Sequence, residues 1–215
     1  MSFKKDSVKN YWDEFYATKT LGVEDIPSQF ATFVMTEFST RNNFIDIGCG
    51  NGRDSFFFAK HANNVIGADA STSALDFCNQ KVDHNAIRNI TFQPLDLAEQ
   101  SSCSCFISEL PKDLKNTVLY ARFLLHAIDE QAESNFLNLC RDAAEQGAAI
   151  AIEFRTHRDA QQTKETSAHY RRFINPLEFM DRARSFNLNL TYFTEGFGLA
   201  KYKNDDAHVA RFVFS

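Results

Sequence analysis

The chain has 215 residues, enough for one domain of ordinary size that buries roughly 70% of its unfolded surface. Its net charge of -5 excludes the sequence-wide basic field that attracts nucleic acid or an anionic membrane. The start of the sequence lacks the apolar core of a signal peptide, and no apolar run reaches membrane-span length, so we expect a cytoplasmic protein without membrane insertion. The five cysteines form no CxxC pair, which favours reduced thiols and predicts no metal site.

Two helices are predicted before the first strand. Residues 7–18 carry an aromatic stripe at helical spacing, with Ser7 as a candidate N-cap. Pro27 is placed to open the second helix, which runs through Phe38 and turns several phenylalanines toward the core.

The glycine-rich stretch 48–52 follows an apolar run at 43–47 and precedes a helical pattern. This order predicts a buried strand, a tight turn and a helix start. Alternating glycines let the backbone turn sharply and let a ligand approach the first amides of the helix. Asp46, at the end of the strand, suits a cation or an amine better than a phosphate.

The next two predicted strands also end near acids. Residues 64–69 finish at Asp69, and residues 90–93 are followed by Asp96. An acid at the tip of the second strand is placed to accept hydrogen bonds from both hydroxyls of a ribose. Three successive strands therefore deliver carboxylates to one edge of the predicted sheet.

The glycine pattern distinguishes two nucleotide-binding families. A dinucleotide site would read G-x-G-x-x-G, whereas residues 46–52 match [D/E]-x-G-x-G-x-G position by position. In this the chain resembles the class I S-adenosylmethionine-dependent methyltransferases. The resemblance implies that S-adenosylmethionine (SAM) is the cofactor. It assigns the methionine part to Asp46 and the loop, the ribose to Asp69, and the adenine amino group to Asp96. The other positions predicted to bind the cofactor are Gly48, Cys49, Gly50, Arg53, Ala70, Tyr120, Tyr11 and Trp12.

Two of these assignments have structural alternatives. Arg53 lies in the first turn of a helix, where the dipole does not favour a cation. It would pair with Asp46 or with the cofactor carboxylate, or else form a surface ion pair. Tyr11 and Trp12 would contact cofactor or substrate, as a helix before the first strand does in many small-molecule methyltransferases, or would simply pack on the domain.

A fourth strand is predicted at 117–120 and a fifth at 148–154. The methyl acceptor is expected beyond these two strands, because ligands of open parallel sheets bind at the strands' carboxyl ends. His126 follows the fourth strand, where an imidazole could take a proton from an acceptor hydroxyl or amine, or could be a packing residue. Arg155 follows the fifth strand and precedes an insertion at 156–173 that ends in a basic cluster. Within it, Tyr170 and Arg171 with Arg155 could grip a phosphate or carboxylate, or the cluster could be a solvated loop.

No helix separates the last two long strands, so they are predicted to pair as a hairpin with an antiparallel last strand. Such a strand is typical of class I methyltransferases and not of NAD-binding domains. We therefore predict an α/β fold, doubly wound and Rossmann-like, with a mostly parallel seven-stranded sheet. Residues 1–215 would form one domain, residues 1–40 supplying helices that cover the site.

A narrower resemblance rests on short phrases and concerns small bacterial methyltransferases associated with surface-polysaccharide assembly. The phrases are 120–126, 152–155, 169–173 and 198–202. The resemblance implies methylation of an oxygen, less favourably a nitrogen, on a small anionic or glycan-type acceptor. No N-P-P-Y motif follows the fourth strand, which disfavours nucleic-acid bases. The alternatives are a non-catalytic SAM-binding protein and an NAD-dependent oxidoreductase.

Overall fold

A computed structural model of the chain describes residues 5–18, 26–162, 170–202 and 204–215. Helix α1 spans Lys5–Thr18, so Ser7 lies inside the helix, and its predicted N-cap role is wrong. Helix α2 spans Gln29–Glu37 and begins two residues later than expected. Its N-cap is Ser28, because the serine side chain accepts a hydrogen bond from the amide of Ala31, three residues further along the chain. The helix therefore does not begin at Pro27.

Seven strands form the main sheet in the described part of the chain. They are β1 (Asn43–Ile47), β2 (Asn64–Asp69), β3 (Ile90–Pro94), β4 (Thr117–Arg122), β5 (Ala149–Arg155), β6 (Leu190–Gly196) and β9 (Val209–Phe214). Two short strands, β7 (Lys201–Tyr202) and β8 (Asp205–Asp206), pair with each other in a small hairpin that the sequence did not predict.

The main sheet has the order β3-β2-β1-β4-β5-β9-β6. The pairs β1–β2, β1–β4, β2–β3 and β4–β5 are parallel, and β9 is antiparallel to both β5 and β6. The predicted mostly parallel sheet with an antiparallel last strand is therefore confirmed. The order reverses between β1 and β4, which places a crevice at the carboxyl ends of these strands.

Helices cover both faces of the sheet. They are α3 (Arg53–Ala59), α4 (Thr72–Asn85), α5 (Gln100–Glu109), α6 (Glu130–Glu145) and α7 (Pro176–Ser185). One apolar core, with Phe136 and Phe179, lies under α5, α6 and α7. The other, with Phe30 and Phe58, lies under α2, α3 and α4. The buried β strands are apolar on both faces, as a parallel sheet covered by helices requires.

Two boundaries differ from what the sequence predicts, which is a helix that has Gly147 as its C-cap and a turn at residues 195–198. Helix α6 has Gln146 as its C-cap, and Gly147 supplies the left-handed residue just beyond, with φ of 96°. Strand β6 continues through Glu195 and Gly196, which the sequence placed in a turn. Pairing with β9 extends the strand, a tertiary effect that turn residues alone do not reveal.

Candidate cofactor and acceptor site

The glycine loop is fixed to the end of β2 by its own backbone. The amides of Gly48 and Cys49 donate hydrogen bonds to the carbonyl of Ala68 at 2.7 and 3.1 Å. Gly50 has a φ of 52° in the left-handed region, and a Cβ there would overlap the Tyr16 hydroxyl. Glycine is therefore needed at position 50 both for its backbone angle and for the close approach of a neighbouring group.

Asp46 is enclosed behind this loop. Its side chain accepts a hydrogen bond from the Ser55 hydroxyl at 2.5 Å, and only 3% of the residue is exposed. Burial raises the pKa of Asp46 to about 8, and the Asp54 and Asp69 carboxylates act in the same direction. A carboxyl group in such surroundings favours a nearby cation, which matches its predicted role beside the amino group of methionine.

Asp69 joins the glycine loop to the start of α4. One carboxylate oxygen accepts a hydrogen bond from the Gly50 amide at 2.8 Å, and the other accepts one from the Ser71 amide at 2.9 Å. Burial raises the pKa of Asp69, and these amide hydrogen bonds oppose the shift. Ala70 lies between the two bonded segments and is half-buried.

Asp96 lies one strand further along the same edge. Its side chain accepts a hydrogen bond from the Ala98 amide at 3.0 Å, and its own amide donates to the Ser102 hydroxyl at 3.1 Å. The parallel register of β1, β2 and β3 thus brings the three predicted acids to one rim.

Two predicted cofactor residues have contacts that the sequence did not foresee. The Arg53 guanidinium donates to the carbonyls of Ile26 and Pro27 at 2.9 and 3.3 Å, and in the described part of the chain Asp46 bonds to Ser55 instead. The Arg53–Asp46 pair, one of the alternatives for Arg53, is therefore not formed among the described residues, and contact of Arg53 with the cofactor carboxylate stays a prediction.

Tyr120 is fully buried, and its hydroxyl donates to Asp54 at 2.7 Å. Its ring stacks on Phe30, with 5.1 Å between centroids, on the α2 side of the sheet. These contacts fasten α2 and α3 to β4, and a cofactor role for Tyr120 stays a prediction.

Helix α1 packs across the cofactor side of the domain. Tyr11 and Trp12 are half-buried and meet edge to face, with ring centroids 5.1 Å apart. Two other residues of the helix reach the motif itself: Asp13 bonds to Ser71 and Ser73, and Tyr16 lies against Gly50. Sequence reasoning missed both, although their three-residue spacing places them on one helix face.

The predicted acceptor side begins just after β4. Phe123 has a φ of 57°, which is uncommon for a bulky residue and marks a constrained turn. His126 lies in a 3-10 turn at Leu125–Ala127, is 4% exposed, and meets the Phe123 ring edge to face at 5.4 Å. Its carbonyl accepts a hydrogen bond from the Arg172 amide at 2.8 Å, which draws the basic segment across this turn.

Arg155 is buried in an ion cluster. It donates to Asp159 at 2.8 Å and to Asp205 at 2.5 Å. Burial alone would lower the pKa of Arg155, but the hydrogen bonds to these two carboxylates raise it above its usual value. Two acids of the chain itself therefore balance the charge of Arg155.

Arg171 lies close to this cluster. Burial and the Arg155 charge lower the pKa of Arg171, and Asp159 and Asp205 act in the opposite direction. Tyr170 is half-buried beside the same segment, whereas His169 lies outside the described residues. The structure thus brings His126, Arg155 and the basic segment to one end of β4 and β5.

The comparison that decides the family is a match of residues 39–177 to a family model described as a methyltransferase domain. The chain belongs to the SAM-dependent methyltransferases. No curated protein sequence matches this methyltransferase at a significant level.

Solved structures share its fold over nearly the whole chain. A SAM-dependent methyltransferase from Anabaena variabilis is 20% identical, with a TM-score of 0.72, covering 97% of this chain and 92% of the other. A TehB-like SAM-dependent methyltransferase from Corynebacterium glutamicum is 16% identical, with a TM-score of 0.64 and 99% of each chain covered. The [4+2]-cyclase SpnF, at 10% identity and a TM-score of 0.68, covers 97% and 93%. Likeness at these identities shows the fold alone.

Two further observations concern membrane-spanning helices and metal binding. None of the helices in the described ranges is long and apolar enough to cross a membrane. Among the described residues, no group of three or more His, Cys, Asp or Glu side chains is arranged to hold a metal ion.

Proposed function

We propose that this methyltransferase transfers the SAM methyl group to an oxygen of a small anionic or glycan-type acceptor, within surface-polysaccharide assembly. The observation that carries the proposal is the position of Arg171 beside the Arg155 cluster. The next residue, Arg172, connects this segment to His126 through its amide. A half-buried basic segment at the carboxyl ends of β4 and β5 is a suitable clamp for a phosphate or carboxylate.

The charged contacts of the cluster support different roles for Arg155 and Arg171. Arg155 is held by Asp159 and Asp205, so we assign it to fixing the shape of the site. An anionic acceptor bound beside Arg171 would add negative charge between the Arg171 and Arg155 guanidiniums. That charge would oppose both the burial and the Arg155 repulsion that lower the pKa of Arg171.

SAM, when bound, supplies an electrophilic methyl group on a sulfonium. Asp46 and the glycine loop would hold the methionine part, and Asp69 the ribose. A loop with no side chains at positions 48, 50 and 52 and a buried acid suited to a cation both fit that molecule.

The acceptor residues would align the attacking oxygen opposite the breaking carbon–sulfur bond, and such positioning supplies much of the acceleration. The oxygen forms the new bond to carbon as the sulfur leaves with its electron pair. A phosphate or carboxylate is already an anion and needs no base. For a hydroxyl acceptor, His126 would take the proton.

The test is release of S-adenosylhomocysteine (SAH) from SAM with separate pools of phosphorylated sugars, neutral sugars, and small amines or carboxylates. We expect turnover confined to an anionic pool and a large increase in acceptor KM in Arg171→Ala. Arg158→Ala is the matched control, because that arginine forms an exposed ion pair with Glu195. Turnover of neutral sugars alone, or equal effects in both variants, would contradict the clamp. SAM binding without SAH release in any pool would favour a non-catalytic SAM-binding protein.

A further inference from the structure

Asp13 links helix α1 to the start of α4. Its carboxylate accepts a hydrogen bond from the Ser71 hydroxyl at 2.7 Å and another from the Ser73 amide at 3.1 Å. The amide belongs to the first turn of α4, where unpaired N–H groups and the helix dipole favour an anion. Asp13 therefore acts as a second cap on α4, supplied by another helix.

Ser71 is the residue that connects this contact to the cofactor motif. It is 1% exposed, and its hydroxyl also accepts a hydrogen bond from the Ala74 amide as the N-cap of α4. Its own amide donates to Asp69, whose second oxygen holds the Gly50 amide. A continuous series of hydrogen bonds therefore runs from α1 through Ser71 and the ribose acid to the glycine loop.

Tyr16 lies one turn after Asp13 on the same face of α1. Its hydroxyl contacts Gly50 so closely that a Cβ there would overlap it. Burial and the nearby Asp69 carboxylate raise the pKa of Tyr16, so the hydroxyl keeps its proton and remains a donor. A polar donor thus faces the loop that the family uses for the methionine part of the cofactor.

We infer that Asp13 is a positioning residue which, through Ser71, holds α1 so that Tyr16 forms part of the cofactor site. Tyr16 is then a cofactor-binding residue in addition to those that the glycine motif supplies. This inference rests on the cofactor site and not on the nature of the acceptor. It can therefore be tested without a substrate, and failure of the acceptor proposal leaves it intact.

The chain provides its own reporter, because Trp12 is its single tryptophan and lies beside Asp13 on α1. We expect SAH to change the Trp12 emission of the wild-type protein. Asp13→Ala should raise the Kd for SAH by about tenfold, the size expected for a lost charge-assisted hydrogen bond. The free variant should show red-shifted Trp12 emission. Asp13→Asn, which keeps one acceptor oxygen, should restore much of the affinity.

Asp76→Ala is the matched control, since Asp76 is an exposed acid of α4. A fall in thermal stability of Asp13→Ala with unchanged Kd and emission would show a purely structural contact and overturn the inference. Tyr16→Phe tests the second step: it should weaken SAH binding in the wild-type background and have little further effect beside Asp13→Ala. Full and additive losses would show that Tyr16 acts without Asp13.

Discussion

Asp46 is an acid that folding removes from water. Its pKa rises from 3.8 to about 8 through burial, despite the hydrogen bond from Ser55. Over this interval the folded protein holds a proton that the unfolded chain has released. Because the native state binds more protons there, the contribution of Asp46 to the free energy of unfolding falls as pH rises from about 4 to about 8.

Asp46→Asn should remove that dependence. At about pH 8 the variant without cofactor should have a higher free energy of unfolding than the wild type, and the difference should shrink toward about pH 4. Urea unfolding across this range measures it. Asp76→Asn serves as the exposed control. Parallel pH profiles for Asp46→Asn and the wild type would show that Asp46 is already ionised in the folded protein.

At the same scale, the sequence predicted the acids of the motif but not their partners. Asp46 and Asp69 stand at fixed distances from alternating glycines, a local signal that a single chain carries. The bonds from Ser55 to Asp46 and from Asp13 to Ser71 join groups whose proximity depends on how helices pack. A pair of Arg53 with Asp46 fails for the same reason, because Arg53 donates to carbonyls of the segment before α2.

At the level of elements, one buried acid ties three strands together. Glu153 on β5 accepts a hydrogen bond from Arg122 of β4 at 2.9 Å and from Arg211 of β9 at 2.7 Å. The three residues are direct neighbours in the strand register. The Arg211 guanidinium also donates to the Leu199 carbonyl at 2.6 Å, which holds the segment before β7.

Glu153→Ala would leave two largely buried guanidiniums without this partner. We expect a loss of about 3–5 kcal/mol in the free energy of unfolding, as when one member of a buried ion pair is removed. Chemical denaturation measures the loss. Glu37→Ala, at the exposed end of α2, should change stability by less than about 0.5 kcal/mol. Similar midpoints for the two variants would mean that the arginines find other partners.

Most elements could be predicted because their signals are local. A few neighbouring residues are enough to predict the apolar strands β1, β2, β4 and β5. The same holds for the N-cap at Ser71. The β7–β8 hairpin carries no such pattern, since its two-residue strands depend on contacts with other parts of the fold. Gln29 provides one of them, accepting a hydrogen bond from the Lys201 amide at 2.9 Å.

For the whole molecule, cofactor binding and stability are linked. SAH that binds only the native state should raise the free energy of unfolding by about 2.7 kcal/mol at one hundred times its Kd. Asp69→Ala should abolish the accompanying rise in Tm, because it removes the acid that joins the glycine loop to α4. NAD should give no rise with the wild type. A clear shift with NAD would contradict the assignment of the loop to SAM.

The placement of β9 between β5 and β6 governs the order in which the molecule can be assembled during synthesis. In the described sheet β6 pairs with β9 alone. Because β6 is synthesised before β9, it cannot pair until β9 has been made. Arg155 and Glu153 each lack one ion-pair partner until then, because Asp205 and Arg211 belong to this late segment. A nascent chain ending near residue 200 could therefore form the glycine loop and bind SAM while the predicted acceptor end is still open. Acquisition of the methyl donor would precede completion of the site that uses it.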